Sequence, residues 1–529
     1  MTPKRPPSYR SLMAGPGITK LSNEDAFIRI GVLIDSSHAP RRGAGVTRAL
    51  GWCDELEARG LTPAEASLLD YFRANAWDCR RPKNTKSEVW HWDQAPLQEE
   101  IYFLRRAATS QGFETVDHYR KCEILTNLGN LLNHIDRSIE AQEIWRQALV
   151  IDPEFWMARG NLGSGLERLA RFHPDGVHGI ALLIRAHDEL VTALRDAEKY
   201  PWLGYPEAQK YFSKTLEKVD SIIDVEDARK SLNLDNNYLG KSKGEVAYRS
   251  WCLREALFLN IMNELGDEPV AAQDVLSLPP FVANLNDPPV LLGFFNQLKQ
   301  EFVSARWTYF EAVQTHGVHF SDRDTFLVNT LDYPSYGLAV EKLRSSYRVA
   351  YSLFDKIAYF LNFYMRLGHK DQDVSFREVW RPKKGKGTRG VLTALQGSKN
   401  GPFRALYWVS KDLFEDSFKD VAQPDAIALH RLRINLEHRY TKVHEWLLAT
   451  EGRQQPSKDI FVDTLAYSIS RSGLEARVLR LLKLVRAALI YLCLGMQVEE
   501  RRRARRRRSK RFLASQTLPT VDDRWKGKI

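Results

Sequence analysis

The sequence predicts an all-α protein in which an array of helical hairpins precedes a four-helix bundle. Two observations support this prediction. Apolar residues recur at helical spacing from near Val46 onward, and the pair Leu128-Gly129 recurs 34 residues later as Leu162-Gly163. The chain has 529 residues, of which 43% are hydrophobic and 27% charged. These values are typical of two or three globular domains.

The sequence predicts neither export nor membrane insertion. Basic residues between Met1 and Arg10 are not followed by an apolar segment, so no secretory signal is expected. The longest apolar run, Ala487 to Met496, is about half as long as a membrane-spanning helix. No two of the five cysteines have the spacing of a metal site or a redox motif. We therefore expect a cytoplasmic protein with reduced thiols, no membrane segment, no bound metal and no cofactor.

The net charge of +11 is concentrated near the C-terminus. Residues 499–529 contain 12 Lys and Arg against 4 Asp and Glu, and so contribute +8. The run from Arg501 to Arg511 is the densest part, with nine basic residues in eleven. Such a cluster can bind a nucleic-acid backbone through the release of counterions, and a solvated tail without a ligand is an equally good interpretation. The rest of the chain does not have the charge of a general polyanion binder.

The 34-residue recurrence indicates the type of repeat. The clearest unit, residues 122–155, has large, small, aromatic and Pro residues at the positions typical of a tetratricopeptide repeat. These residues are Leu125, Leu128, Gly129, Leu132, Ala141, Trp145, Ala148 and Pro153. The next unit begins at Trp156 and is less complete. Residues 46–275 are therefore predicted to form a tetratricopeptide-like array that binds a protein partner, after a poorly ordered segment at 1–45.

Prolines mark the start of a second region. Four prolines between Leu276 and Pro289 predict a connector over 276–334 that includes a helix. Apolar periodicity then predicts a helical bundle over 335–500, with one long basic connection, and a basic tail over 501–529. The four helices of the bundle are predicted at about 335–367, 403–418, 425–449 and from 473 into the tail.

The third helix of this bundle has the residues most typical of a catalytic or binding site. Its predicted core stripe consists of Leu429, Leu432, Leu436, Tyr440, Val443 and Leu447. On an ideal helix His438 lies about 200° from Leu436, on the opposite face. Arg431 lies within about 20° of His438, and Arg433 lies about 140° from it. The helix therefore directs a histidine away from the core, with arginines nearby.

An arginine, four to six residues and a histidine form the motif of the HEPN superfamily of helical nucleotide-binding domains, which this region resembles. Arg433 and His438 have four residues between them, and Arg431 and His438 have six. Further segments resemble one branch of the superfamily, in which tetratricopeptide repeats precede the HEPN domain. In the C-terminal region these are Glu437-His438-Arg439-Tyr440, Asp355-Lys356-Ile357-Ala358, Val374-Ser375-Phe376 and Leu406-Tyr407-Trp408. In the N-terminal region they are Tyr71-Phe72 and Asn75-Ala76-Trp77.

The resemblance implies a metal-independent endoribonuclease that dimerises through its helical bundle. Arg433 and His438 would be catalytic, with His438 transferring protons and Arg433 binding phosphate. The residues that would support the site or bind RNA are Arg431, Asn435, Glu437, Arg439, Tyr440 and Asp355. From its charge, the tail would contribute Arg501, Arg502, Arg503, Arg505, Arg506, Arg507 and Arg508 to RNA binding. The resemblance also suggests a toxin-like role in stress or phage defence.

One departure from the motif keeps a second interpretation open. Many HEPN ribonucleases have a polar residue, often Asn, directly after the arginine. Here Ile434 follows Arg433, and Asn435 comes one position later. The alternative is a non-catalytic scaffold, in which the repeats bind a protein partner and the bundle dimerises or binds RNA or nucleotide. A surface His-Arg face with only a structural role is the third possibility.

Overall fold

A computed structural model describes most of the chain, and nearly all of its regular structure is helical. The residues described are 8–38, 42–81, 91–172, 176–199, 205–232, 238–284, 287–382, 391–396, 398–414, 429, 432–436, 439–445, 465–506 and 516–527. Helices account for 70% of the structure, which confirms the predicted all-α fold.

Twelve α-helices are described before residue 255. They are α1 Tyr9–Ala14, α2 Asn23–Ser37, α3 Gly43–Glu57, α4 Pro63–Asp78, α5 Ala95–Thr109, α6 His118–His134, α7 Ser138–Ile151, α8 Trp156–Phe172, α9 Gly176–Glu198, α10 Pro206–Asp220, α11 Val225–Ser231 and α12 Lys243–Arg254.

The first four helices have a small core of their own. Segment 1–45 was expected to be poorly ordered, but its described residues include α1 and α2. Leu12, Ile30 and Leu33 are fully buried there, because helical spacing collects the apolar residues on a face that packs against neighbouring helices. The Ser22 hydroxyl also accepts a hydrogen bond from a backbone N–H in the first turn of α2 at 3.1 Å. Such a cap stabilises the start of a helix.

Helices α6 to α9 pack in sequence, each against the next along the chain. Gly129 on α6 lies against the indole of Trp145 on α7, where an added Cβ would meet the ring nitrogen at 2.5 Å. Gly163 on α8 lies against Leu190 on α9, where an added Cβ would lie 2.9 Å from Cγ. The recurring glycine therefore makes room for a side chain of the following helix in both pairs. The assignment of these helices to the tetratricopeptide type stays a prediction.

Five further α-helices are described after residue 289. They are α13 Val290–Gln314, α14 Leu338–Met365, α15 Thr393–Gln396, α16 Gly401–Phe414 and α17 Arg471–Arg506. Helices α14, α16 and α17 confirm the first, second and fourth helices predicted for the bundle. Helix α13 lies in the predicted connector and packs along α14, while α17 packs against α13, α14 and α16. Within the described ranges no helix is both long enough and apolar enough to cross a membrane.

The prediction of the third helix of the bundle is wrong for the second half of that helix. Residues 432–436 are helical, but strand β1 forms at Thr441–His444, where the helix was expected to continue to 449. This strand pairs in parallel with β2, Tyr467–Ser470, so that Val443 lies opposite Ile469. Both of these side chains are fully buried, and β-branched residues are well suited to such an extended, buried position. Tyr440, which was assigned to the core stripe, is 38% exposed.

One continuous core joins the N-terminal and C-terminal helices. It extends from Tyr71 on α4 to Met496 on α17. Every residue of α16 from Gly401 to Leu413 is buried, so this helix has no solvent-facing side. A helix of this kind belongs to the interior of a larger packed unit. The two predicted regions therefore share their apolar interior.

Buried polar contacts also connect the N-terminal helices to α16 and α17. Asp412 on α16 accepts hydrogen bonds from Arg105 at 2.7 and 2.8 Å and from Arg137. Burial alone would raise the pKa of Asp412, but these two guanidinium groups outweigh it and hold the pKa at about 2. On α17, the hydroxyl of Tyr491 donates a hydrogen bond to Glu140 at 2.9 Å. The C-terminal helices are thus fixed to the N-terminal array by charge as well as by apolar contact.

Candidate functional site

Helix α14 presents a line of polar and aromatic side chains to the segment that contains the motif. Arg344, Arg348, Tyr351 and Asp355 follow one another at spacings of four, three and four residues, which places them on one face of the helix. Each of them contacts a residue between 433 and 441. These four side chains are called the α14 stripe below.

The α14 stripe holds the backbone of the motif segment, which is the name used for residues 429–441. Arg348 donates a hydrogen bond to the carbonyl oxygen of Leu436 at 2.8 Å, and Arg344 donates one to that of Thr441 at 2.8 Å. Carbonyl groups at the end of a helix lack intrahelical partners and favour a nearby cation. The apolar side chains of the segment are buried, as the predicted core stripe required; they are Leu429, Leu432 and Leu436. The two arginines therefore fix where the helical turn ends.

Arg433 is held by the other two members of the α14 stripe. Its guanidinium group lies 3.7 Å from the carboxylate of Asp355 and 4.6 Å from the ring centroid of Tyr351. The carboxylate of Asp355 also accepts a hydrogen bond from the backbone N–H of Phe376 at 3.0 Å, which fixes its position. The side chain of Arg433 is 30% exposed. It is therefore an oriented cation that solvent and a phosphate group can reach.

The segments that resemble the HEPN branch pack together behind Arg433. Asp355 and Phe376 belong to two of these segments and are joined by the hydrogen bond just described. The hydroxyl of Ser410 on α16 donates a hydrogen bond to the carbonyl oxygen of Phe376 at 2.7 Å. Trp380 lies with its ring centroid 5.7 Å from that of Phe376 and 6.2 Å from that of Tyr407. These contacts connect α14, the following loop and α16 into one support for the site.

Three predicted supporting residues lie at the end of the motif segment. The backbone N–H of Arg439 donates a hydrogen bond to the carbonyl oxygen of Asn435 at 3.2 Å. The side chains of Arg439 and Tyr440 are exposed. Lys442 on β1 lies 5.6 Å from the ring centroid of Tyr440. Exposed arginine and tyrosine side chains are suited to contacts with RNA phosphates and unstacked bases, whereas Lys442 is buried and pairs with Asp332 at 2.5 Å.

Arg431, Glu437 and His438 lie outside the described residues. The structure therefore brings Arg433 together with Asp355, while the pairing of Arg433 with His438 stays a prediction. Among the residues that are described, no group of three or more His, Cys, Asp or Glu side chains is arranged to hold a metal ion.

The arginines of the basic tail between 501 and 506 continue α17 and have two kinds of surroundings, which Arg502 shares. Arg502 and Arg503 pair with Glu499 at 2.7 and 3.0 Å, and Arg503 lies 4.5 Å from the ring centroid of Tyr364. Arginine side chains also line an open cleft of about 430 Å³ together with Ser398 and Val498. The arginines of this cleft are Arg501, Arg502, Arg505 and Arg506. Arg507 and Arg508 lie outside the described residues.

Sequence reasoning did not find three members of the α14 stripe. Arg344, Arg348 and Tyr351 were not among the predicted site residues, although Asp355 was. Their signal is the spacing of arginines on one face of a helix whose other side chains are mostly buried and apolar. That signal becomes specific only when the segment facing this side of α14 is known.

Fold and site together define a helical domain with an arginine held between a carboxylate and an aromatic ring. Residues 282–499 match the family described as LA2681-like HEPN. This match supports the resemblance to the HEPN superfamily, and its range includes α13, α14, α16, the motif segment and most of α17. No curated protein and no solved structure gave a significant match to the chain.

Proposed function

We propose that this protein is a metal-independent endoribonuclease whose C-terminal region binds and cleaves RNA. The observation that carries the proposal is the position of Arg433, which is partly exposed beside Asp355 and Tyr351 in the region similar to HEPN domains. A guanidinium group in this position can bind two phosphate oxygens at once. HEPN domains are often ribonucleases, and this supports the same class of reaction here.

In the proposed reaction the 2′-hydroxyl oxygen of one nucleotide attacks the adjacent phosphorus atom. A bond from phosphorus to O2′ forms while the bond to the 5′ oxygen of the next nucleotide breaks, which leaves a 2′,3′-cyclic phosphate and a 5′-hydroxyl. His438 of one protomer accepts the proton of the attacking hydroxyl, and His438 of the second protomer donates a proton to the leaving oxygen. Arg433 stabilises the charge that develops on the phosphate oxygens.

This chemistry requires a homodimer in which two copies of the motif face one groove. The N-terminal array would bind a protein partner, and the exposed arginines of the tail would bind RNA backbone. The similarity to HEPN domains favours a toxin-like role in stress or phage defence, with cytoplasmic RNA as the substrate.

The test is cleavage of bulk cellular RNA in EDTA, with the product ends analysed for 2′,3′-cyclic phosphate. His438→Ala is expected to lose activity by about 100- to 10,000-fold, the usual contribution of general acid–base catalysis. Arg433→Ala should be similarly inactive. Arg433→Lys keeps the charge without the bidentate geometry and should lie between Arg433→Ala and the wild type. His316→Ala, outside the motif, is the matched histidine control and should keep full activity.

Three outcomes would decide whether the protein is a nuclease and which residues are catalytic. Wild-type activity that disappears in EDTA, or that is no greater than the activity of His438→Ala, would contradict the proposed nuclease. A larger loss in Arg431→Ala than in Arg433→Ala would assign catalysis to the arginine six residues from the histidine. Full activity in both Arg431→Ala and Arg433→Ala would show that neither arginine takes part in the reaction.

A non-catalytic scaffold is the second candidate, and one observation favours it. Arg433 already has Asp355 and Tyr351 as partners, so its role could be to hold the motif segment on α14. In that case Arg433→Ala and Asp355→Ala should lower the melting temperature by similar amounts. The wild type should then bind RNA without cleaving it. A nuclease with an oriented phosphate-binding arginine predicts cleavage by the wild type and reduced cleavage by a folded Arg433→Lys variant.

A further inference from the structure

An open cleft of about 760 Å³ lies among α2, α4 and α6 in the N-terminal region. Its walls are rich in aromatic side chains, which are Phe27, Tyr71, Phe72, Tyr119 and Tyr205. Tyr71, Phe72 and the neighbouring Asn75 belong to the N-terminal segments that resemble the HEPN branch. The proposed RNA cleavage uses none of these residues. Part of the resemblance to the HEPN branch therefore lies in residues that line a cavity with no role in that reaction.

The cleft is acidic, although the chain as a whole has a net charge of +11. Its charged residues are Glu24, Asp35, Glu65, Glu123 and Arg120, four acidic side chains against one basic side chain. Glu65 is used within the fold, since it accepts a hydrogen bond from the backbone N–H of Thr62 at 2.9 Å. Glu24 and Asp35 are exposed, and neither side-chain carboxylate accepts a hydrogen bond from a described residue. Their charges are therefore available to a ligand.

Arg120, which lies inside the cleft, demonstrates how the walls receive a guanidinium group. Its Cζ atom lies 5.2 Å from the ring centroid of Tyr71, and it donates a hydrogen bond to Glu123, whose side chain is 11% exposed. The amide of Asn127 donates a hydrogen bond to the hydroxyl of Tyr71 at 3.2 Å, which fixes the ring. Ring face and carboxylate together form the environment that a guanidinium group prefers.

The exposed residues of the cleft offer the same two kinds of group to further cations. Tyr205 supplies a ring that is 44% exposed, and Glu24 and Asp35 supply carboxylates without an ion pair in the described chain. The open volume is larger than one guanidinium side chain needs, so a backbone can continue along the cleft beyond the bound residue.

We propose that this cleft binds arginine side chains of a basic peptide segment in a protein partner. One guanidinium group of the peptide stacks on the aromatic walls and pairs with Asp35, and a second pairs with Glu24, about 16 Å further along α2. Arginine is favoured over lysine, because its planar group both stacks on a ring and binds a carboxylate through two N–H groups. The positive charge of the whole chain repels polycations in general, so binding depends on this acidic surface.

The test measures fluorescence anisotropy of a fluorescein-labelled tetra-arginine peptide added to the full-length protein. The double variant Glu24→Gln/Asp35→Asn should weaken binding about five- to tenfold, the combined effect of two partly exposed ion pairs. Tyr205→Leu should weaken it by a smaller factor, because one ring face is lost. The control Glu226→Gln/Asp227→Asn removes the same charge from exposed positions on α11 and should bind as the wild type does. A tetra-lysine peptide should bind more weakly than tetra-arginine.

Equal affinity of the wild type and Glu24→Gln/Asp35→Asn would overturn the proposal, as would an equal loss in the α11 control. Displacement of the peptide by spermidine at the same concentration of positive charge would also overturn it, because the site would then select a small cation. RNA cleavage by Glu24→Gln/Asp35→Asn should equal that of the wild type. The outcome is therefore independent of whether the protein is a nuclease.

Discussion

Gly129 is a residue at which the absence of a side chain determines how two helices pack. An added Cβ there would lie 2.5 Å from the indole nitrogen of Trp145, closer than non-bonded atoms allow. Gly129→Ala should therefore lower the free energy of unfolding by about 1–3 kcal/mol, as overpacking does elsewhere. Gly129→Trp should prevent α6 and α7 from packing. Thermal unfolding of the full-length protein, followed by circular dichroism, measures both effects.

Gly51 is the matched control for this substitution. It lies within helix α3, and an added Cβ there would meet nothing within 4 Å. Gly51→Ala should raise the free energy of unfolding by about 0.5–1 kcal/mol, because alanine is the better helix former. Equal melting temperatures of Gly129→Trp and the wild type would contradict the close packing of α6 on α7.

Residues that act through a contact distant in sequence are the ones that sequence analysis found least completely. Asp355 was predicted as a supporting residue, and it lies beside Arg433. Tyr351 and Arg348 contact the same segment but were not predicted, because the sequence does not reveal which face of α14 meets the motif. His438 was predicted from the motif alone and lies outside the described residues. The cleavage assay of His438→Ala tests its proposed role.

At the scale of secondary-structure elements, β1 is the clearest difference from the prediction. The spacing of apolar residues from Leu429 to Leu447 fits a helix, so the sequence around Thr441 gave a local signal for helix. Strand formation depends on a partner, and here the partner is Tyr467–Ser470, which is distant in sequence. Pairing of this kind cannot be inferred from a local periodicity. Helices α14, α16 and α17 were predictable, because their apolar patterns are long and uninterrupted.

The packing of helix α16, and with it the stability of the protein, should depend strongly on the charge of Asp412. Its carboxylate is the shared partner of Arg105 and Arg137, and all three side chains are buried. Asp412→Ala leaves the buried cation of Arg105 without a carboxylate and leaves Arg137 with Glu140 alone, and we expect a loss of about 3–5 kcal/mol in the free energy of unfolding. Urea denaturation measures this loss. Asp188→Ala removes an exposed ion pair with Arg229 and should cost less than about 1 kcal/mol.

The same carboxylate predicts a pH dependence of stability. The pKa of Asp412 is about 2 in the folded protein, below the ordinary value of 3.8, because Arg105 and Arg137 outweigh the effect of burial. A lowered pKa in the folded state stabilises the fold above pH 3.8, and this contribution is lost as the pH falls towards 2. The wild type should therefore lose more unfolding free energy than Asp412→Asn between pH 5 and pH 2. If the unfolding free energies of the two proteins changed with pH in parallel, this would contradict an ionised Asp412 carboxylate in the folded protein.

At the scale of the whole molecule, the sequence predicted two helical regions but did not reveal how closely they associate. Amphipathic periodicity identifies the apolar face of a helix, whereas the identity of the helix that covers this face is a tertiary property. Asp412 and Arg105 are polar residues that sequence analysis would place at the surface, yet they meet in the interior between the regions. The domain boundaries proposed from composition stay predictions.

In the proposed RNA binding, the exposed arginines of the tail should control how the affinity changes with salt concentration. Arg505 and Arg506 are exposed and line the cleft at the end of α17. Arg505→Gln/Arg506→Gln should lower the slope of log K against log salt by about 1.4, or about 0.7 for each lost contact with single-stranded RNA. The loss should be the same for RNAs of different sequence. Filter binding at several salt concentrations measures the slope.

Two exposed arginines on α9 provide the control for the tail. Arg185→Gln/Arg195→Gln removes the same charge from the N-terminal region and should leave the slope unchanged. Equal slopes for the tail variant and the wild type would exclude phosphate contacts by Arg505 and Arg506.

The position of α17 has a consequence for biosynthesis. Among the described α-helices it is the last to leave the ribosome, and yet it fills the interior between α7, α14 and α16. Until it emerges, the earlier helices keep apolar surface uncovered, which is the surface that chaperones and proteases recognise. A chain interrupted before Arg471 is therefore a substrate for quality control rather than a partly working product. For the proposed ribonuclease, activity would then begin only after α17 has left the ribosome and packed against the earlier helices.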